Sequence, residues 1–161
     1  SSAEANLSQE IIKRGIKPNR LIFGERLKRK EYLARYRVAD LFLDTHPYNA
    51  GTTASDALKM GVPLLTMIGK SFNSREAASI LNSISLPEMV TNSLEEYESL
   101  AIELATNPDK LKKIKEKLQS NLTTAPLFDT PLFTKNIESA YTQMYERHHA
   151  GLKPDHIYVE K

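Results

Sequence analysis

Short apolar runs separated by stretches of helical spacing do most to limit what this chain can fold into. Leu21-Ile22-Phe23, Ala39-Asp40-Leu41-Phe42-Leu43-Asp44, Val62-Pro63-Leu64-Leu65-Thr66-Met67 and the very short Met89-Val90 read as strands. Pro63 is acceptable only at a strand start, because it has no N–H to donate. Residues 28–37, 53–60 and 73–84 carry helical spacing, and residues 4–15 place Leu7, Ile11 and Ile12 on one side of a first helix. Gly15 and Gly61 are suited to end the helices they follow. Strands alternating with helices imply parallel βαβ units with right-handed crossovers. Further on the pattern is helical. Ser93-Leu94-Glu95-Glu96 has the form of a capping box. Asn107-Pro108 ends one helix and opens another over 109–118, and a last helix over about 131–150 stops at Gly151. The expected fold class is α/β, a parallel sheet followed by a helical C-terminal extension.

Length and composition bound the rest. At 161 residues the chain makes one ordinary domain. Its 40% hydrophobic and 26% charged residues are the mix of a soluble globular protein. With 22 basic against 20 acidic side chains, bulk attraction to nucleic acid or to an anionic membrane is not expected. The absence of cysteine excludes disulfides, a thiolate nucleophile and cysteine-ligated metal. No run approaches the roughly 20 apolar residues of a membrane span. The polar start SSAEANLSQE lacks the marks of a signal peptide, so a cytoplasmic location is expected.

Open α/β sheets bind ligands at the carboxyl ends of their strands. That directs attention to the loop after Leu43, where Asn49-Ala50-Gly51-Thr52-Thr53-Ala54-Ser55-Asp56 runs into a helix. Free N–H groups at a helix start attract phosphate, and two threonine hydroxyls add donors. Asp56, one turn in, is placed to accept from a ribose or sugar hydroxyl. The plainer alternative is that Thr52 or Thr53 caps the helix and Asp56 offsets its dipole. The basic segment Arg26, Lys28, Arg29, Lys30, Arg35, Arg37, with Tyr32 and Tyr36, lies beside the same edge in a βα unit. There an aromatic ring can stack on a base and an arginine can meet a phosphate. Its plainer reading is a solvated helix face.

Other signals fail. Gly69-Lys70-Ser71 resembles the end of a P-loop, but Leu64 stands where that motif needs glycine. No G-x-G-x-x-G occurs. His46, His148, His149 and His156 show no metal spacing. No serine sits in a nucleophile elbow. Two glycosylation sequons, at Asn6 and Asn121, have no secretory context. No residue reads as catalytic.

The run Val38-Ala39-Asp40-Leu41-Phe42-Leu43-Asp44-Thr45, then Tyr48-Asn49-Ala50-Gly51-Thr52-Thr53-Ala54-Ser55-Asp56-Ala57-Leu58, resembles the C-terminal catalytic half of the O-GlcNAc transferases. The likeness continues through Gly61-Val62-Pro63-Leu64-Leu65-Thr66-Met67, Gly69, Ser74-Arg75 and Ala77-Ala78-Ser79. It takes in Leu94-Glu95-Glu96-Tyr97, Pro126-Leu127-Phe128-Asp129-Thr130 and Ala150-Gly151-Leu152-Lys153-Pro154-Asp155-His156-Ile157. Separate motifs in one order, over about residues 5–158, are far more specific than any one alone.

The resemblance implies transfer of N-acetylglucosamine from UDP-GlcNAc to Ser or Thr of proteins, with inversion and without a metal or other cofactor. It implies a GT-B pair of Rossmann-like lobes, commonly behind tetratricopeptide repeats, with the nucleotide held mainly by the C-terminal lobe. On that basis residues 1–125 form an incomplete Rossmann-like nucleotide-sugar-binding lobe and 126–161 its helical extension. Thr52 and Thr53 are implied to hold the diphosphate, with Gly51 adding an N–H. Asp56 is implied at the ribose, Arg29, Tyr32 and Arg35 on the uracil side, and the Leu27 backbone at the base.

Departures are equally visible. Gly51 and Tyr32 stand where the family usually has histidine, and Ile68-Gly69-Lys70 where it commonly reads Pro-Gly-Glu. By the resemblance, the chain starts after the lobe's first strand and its phosphate-binding lysine, so it is expected to be a fragment. Such a fragment is expected to be inactive alone and to expose a sheet edge open to self-association. A nucleotide-binding or scaffolding module that has lost transferase activity is the alternative, favoured by Gly51, Ile68 and Lys70. An unrelated flavodoxin-like regulatory domain is weaker, because the motifs come in order.

Overall fold

A computed structural model describes residues 2–159. By compactness the chain divides after Ala34 into two units.

The first unit holds helix α1 (Ser2–Lys13), a 3-10 turn at Pro18–Arg20 and most of α2 (Arg29–Arg35). Gly15 follows α1 at φ +72°, a left-handed conformation that suits glycine at a helix end. The apolar side of α1 forms as expected, yet Leu7 and Ile12 each remain about half exposed. The strand expected at Leu21-Ile22-Phe23 is absent, and residues 21–28 are irregular. A run of three apolar residues specifies an extended backbone but not a neighbour. Without a neighbour there is no ladder to satisfy its N–H and C=O groups. Ile22 is accordingly exposed.

The second unit begins with the last residue of α2 and contains the whole sheet. Its elements are β1 (Phe42–Leu43), α3 (Thr52–Lys59), β2 (Leu64–Met67), α4 (Glu76–Ser83), β3 (Val90–Thr91), α5 (Leu94–Thr106), α6 (Pro108–Asn121) and α7 (Thr130–His149). The three strands are parallel in the order β1-β2-β3. Phe42 pairs with Leu64 and Leu43 with Leu65, while Thr66 pairs with Val90 and Met67 with Thr91. The α/β class with parallel strands is as the sequence indicates. β2 lies between both neighbours, and Leu64 and Leu65 are wholly buried, which explains why this strand is a continuous apolar run rather than an alternating one. Pro63 serves the sheet through its carbonyl, which accepts from the Phe42 N–H at 2.8 Å.

Leu58, Leu81, Ile84, Leu86, Met89, Leu104 and Leu118 close around β2 to form the core. Each buried side chain of this size contributes about 1.5–3 kcal/mol. Ser93 caps α5, its Oγ accepting from the Glu96 N–H at 3.1 Å. The Glu96 carboxylate completes the box one residue further back than the pattern implies, accepting from the Asn92 N–H at 2.8 Å. Asn107 caps α6 through the Lys110 N–H, and the lysines of that helix line an exposed face. Two of them reach back, Lys115 to Asp40 at 2.7 Å and Lys117 to Glu88 at 2.6 Å. Among the described residues no helix is long and apolar enough to cross a membrane.

Candidate functional site

The loop leaving β1 is fixed by one carboxylate. Asp44, buried just past the strand, accepts at Oδ1 from the Thr45 and Ala50 N–H groups, both at 2.8 Å. Its Oδ2 accepts from Thr66 Oγ1 at 2.7 Å, which ties the loop to the central strand. The Thr66 carbonyl in turn accepts from Thr91 Oγ1 at 3.0 Å. Tyr97 Oη donates to the Asp44 carbonyl at 2.9 Å. Burial, and then the nearby Asp44 charge, push the Tyr97 phenol above its ordinary pKa. Asn49 pins the far side of the loop, donating from Nδ2 to the Thr45 carbonyl at 2.8 Å and from its N–H to the Asn73 carbonyl at 3.1 Å. The His46–Pro47 peptide is cis.

This fixed loop delivers the start of α3. Gly51 is its N-cap and, lacking a side chain, makes no capping hydrogen bond to the first turn. Thr52 and Thr53 are the first two helical residues and both are exposed. They therefore do not cap the helix, contrary to the plainer reading of the sequence. The early N–H groups have no intrahelical partner by geometry, and two hydroxyls stand beside them, a donor set for an oxyanion. The Thr53 carbonyl accepts from Tyr36 Oη at 3.3 Å. Asp56 lies one turn in and is buried, 7% exposed. The sheet-edge unit thus brings Gly51, Thr52, Thr53 and Asp56 together on one helical turn, with Arg35, half-buried at the end of α2, in the same unit.

Leu27, Arg29 and Tyr32 lie in the first unit. Leu27 is exposed in the segment before α2, and Arg29 opens that helix. The Arg29 guanidinium stands 5.6 Å from the centre of the half-buried Tyr32 ring, a cation–π pair that gives the ring a fixed setting.

Two features escaped sequence reasoning. The polar residues Thr66 and Thr91, inside otherwise apolar strands, were the visible sign of the network around Asp44. Glu76 carried no such sign. Its carboxylate lies against Gly51, and a Cβ at position 51 would stand only 2.8 Å from the Glu76 carboxyl carbon. A side chain at position 51 would require the flexible end of Glu76 to swing aside.

The model of glycosyl transferase family 41 matches residues 1–137. A probable UDP-N-acetylglucosamine–peptide N-acetylglucosaminyltransferase of Arabidopsis thaliana is 38% identical over 90% of this chain and 15% of its own length. The corresponding enzyme of Caenorhabditis elegans is 34% identical over 96% of this chain and 13% of its own. A solved structure of a mutant O-GlcNAc transferase from Thermobaculum terrenum superposes with a TM-score of 0.82 at 33% identity, covering 88% of this chain and 27% of that one. The chain thus spans about one seventh of the curated relatives it matches. The family model covers well over half of the chain, and the chain belongs to glycosyl transferase family 41.

Proposed function

We propose that this chain is the nucleotide-sugar-binding part of a protein O-glycosyltransferase that uses UDP-GlcNAc. The observation that carries this is the start of α3, where Gly51 leaves the first turn without a side-chain cap and Thr52 and Thr53 present exposed hydroxyls. Fixed donors of this kind bind a diphosphate in the ground state. They also stabilise the charge that grows on UDP as the glycosidic bond breaks, with little reorganisation. Asp56 serves the ribose, and Leu27, Arg29, Tyr32 and Arg35 serve the uracil side. The donors on this helix replace a metal as the stabiliser of the leaving diphosphate, and inversion at the anomeric carbon, the GT-B arrangement, association with tetratricopeptide repeats and a cytoplasmic setting complete the reading. Transfer by this chain alone is not expected, since the relatives are about six to seven times as long. The exposed sheet edge at β1, where Leu43 is 54% exposed, is a surface for self-association.

A second reading, a scaffolding module without transferase activity, is favoured by one observation. The Glu76 carboxylate places negative charge beside the donors meant for a phosphate. Calorimetric titration with UDP separates the transferase reading from a scaffold that no longer holds nucleotide, and transfer from UDP-GlcNAc by the full-length protein separates it from a nucleotide-binding module that has lost activity. Saturable binding weakened by Thr53→Ala and by Asp56→Asn supports the transferase reading, and no binding at about 1 mM UDP supports the scaffold.

A further inference from the structure

A crevice of about 570 Å³ opens at the carboxyl ends of the three strands, away from the start of α3 in its lining. Each strand end contributes: His46 and Pro47 after β1, Met67 as the last residue of β2 with Lys70 and Ser71 beyond it, and Asn92 after β3. In a parallel α/β sheet this is the edge where ligands bind. Among the described residues no carboxylate lines the crevice, and neither Lys70 nor His46 has an ion pair or side-chain hydrogen bond. Its wall is fixed. Ser71 Oγ and Ser74 Oγ share a hydrogen bond at 2.9 Å, and the Gly69 N–H donates to the Ser74 carbonyl at 2.8 Å. The His46 ring lies so close to Gly69 that a Cβ there would stand 2.9 Å from Cε1. Loop rigidity of this kind holds Lys70 at one place on the edge.

We propose that this crevice is an anion subsite for the acceptor polypeptide, in which Lys70 and His46 receive an acidic side chain near the modified residue. The inference rests on the transferase reading above. Several observations favour a polypeptide over a second nucleotide. Among the described residues no Phe, Tyr or Trp lines the crevice, and the one aromatic ring in its wall, the His46 imidazole, is packed against Gly69, whereas Pro47, Met67 and Ile68 offer apolar wall for a side-chain stem. Two aromatic residues adjacent in sequence to lining residues, Tyr48 and Phe72, are 67% and 75% exposed. Exposed aromatics around a charged, open crevice suit recognition of a protein surface. Lys70 supplies a point charge on a flexible stem, so carboxylate and phosphoryl groups on a peptide are both accepted.

The test is titration of this chain with a serine-containing peptide flanked by aspartates, with its asparagine counterpart, and with UDP. The acidic peptide is expected to bind and the asparagine peptide to bind at least about tenfold more weakly. Lys70→Ala is expected to weaken the acidic peptide about tenfold and leave UDP affinity unchanged, and Lys70→Glu to lose the acidic peptide entirely. A melting temperature shared by wild type and both variants confirms that the exposed position leaves the fold intact. If the acidic peptide does not bind, or Lys70→Ala does not weaken it, the subsite is wrong even where UDP binds normally. If Lys70→Ala weakens UDP as much as peptide, the crevice belongs to the nucleotide. Failure of UDP to bind at all counts instead against the transferase reading.

Discussion

Thr66 and Asp44 are joined side chain to side chain at 2.7 Å, a buried hydrogen bond linking the middle of the central strand to the loop that carries the candidate donor site. Replacing the hydroxyl by a methyl leaves Asp44 Oδ2 buried with one partner fewer. Thr66→Val is therefore expected to cost about 1–3 kcal/mol, read as a shift of the urea midpoint without a change of slope. The same variant is expected to weaken UDP binding, because the loop holding Gly51 loses its anchor. A stability unchanged from wild type would show that the network does not hold the loop.

Tyr97 provides a pH-dependent reading of the same network. Its phenol is pushed upward first by burial and then by the Asp44 charge. A raised native pKa means that the folded state holds its proton longer than the unfolded chain does. The associated stability is fully present below about pH 10 and is lost as pH rises through the native value. An ultraviolet titration is expected to contain a late-ionising component that Tyr97→Phe removes, and an unchanged titration in that variant would contradict the reading.

Two glycines facing side chains should differ in tolerance. A Cβ at Gly51 meets only the far end of Glu76, a flexible chain that can swing aside, so Gly51→Ala is expected to cost less than about 1 kcal/mol. A Cβ at Gly69 would stand 2.7 Å from the Cβ of buried Ser74, whose hydroxyl is already tied to Ser71. Gly69→Ala is expected to cost about 1–3 kcal/mol. Thermal denaturation of the two variants in parallel checks the contrast, and equal costs would contradict it.

Glu76 sits where charge matters most to an anion. Neutralising it as Glu76→Gln is expected to tighten UDP binding about two- to fivefold, the size of a single charge effect at a helix start. Calorimetry at low and high salt checks this, with the gain shrinking as salt screens it. A loss of affinity instead would mean that the carboxylate accepts from the ligand.

The order of elements from β1 onward was legible because it rests on local pattern. The burial of β2 shows directly in Leu64-Leu65, and the break before α3 shows in the small residues from Asn49 to Thr53. Strand partners were not legible. Leu21-Ile22-Phe23 has the same apolar character as Leu41-Phe42-Leu43, and only the second finds a neighbour across the sheet. The contact between Glu76 and Gly51 and the crevice around Lys70 arise from residues distant in sequence, brought together by packing that no local spacing encodes. The hydroxyl of Thr66 was visible in the sequence, but its partner Asp44 lies on another strand exit.

The most direct test of the account is an amide chemical-shift map of the isotopically labelled chain as UDP is added. The expected result is saturable shifts centred on the N–H groups of Gly51, Thr52, Thr53 and Ala54, abolished or displaced to higher UDP concentration in Thr53→Ala. Shifts confined to other parts of the sheet edge, or none at saturating nucleotide, would contradict the assignment of the start of α3 as the diphosphate site.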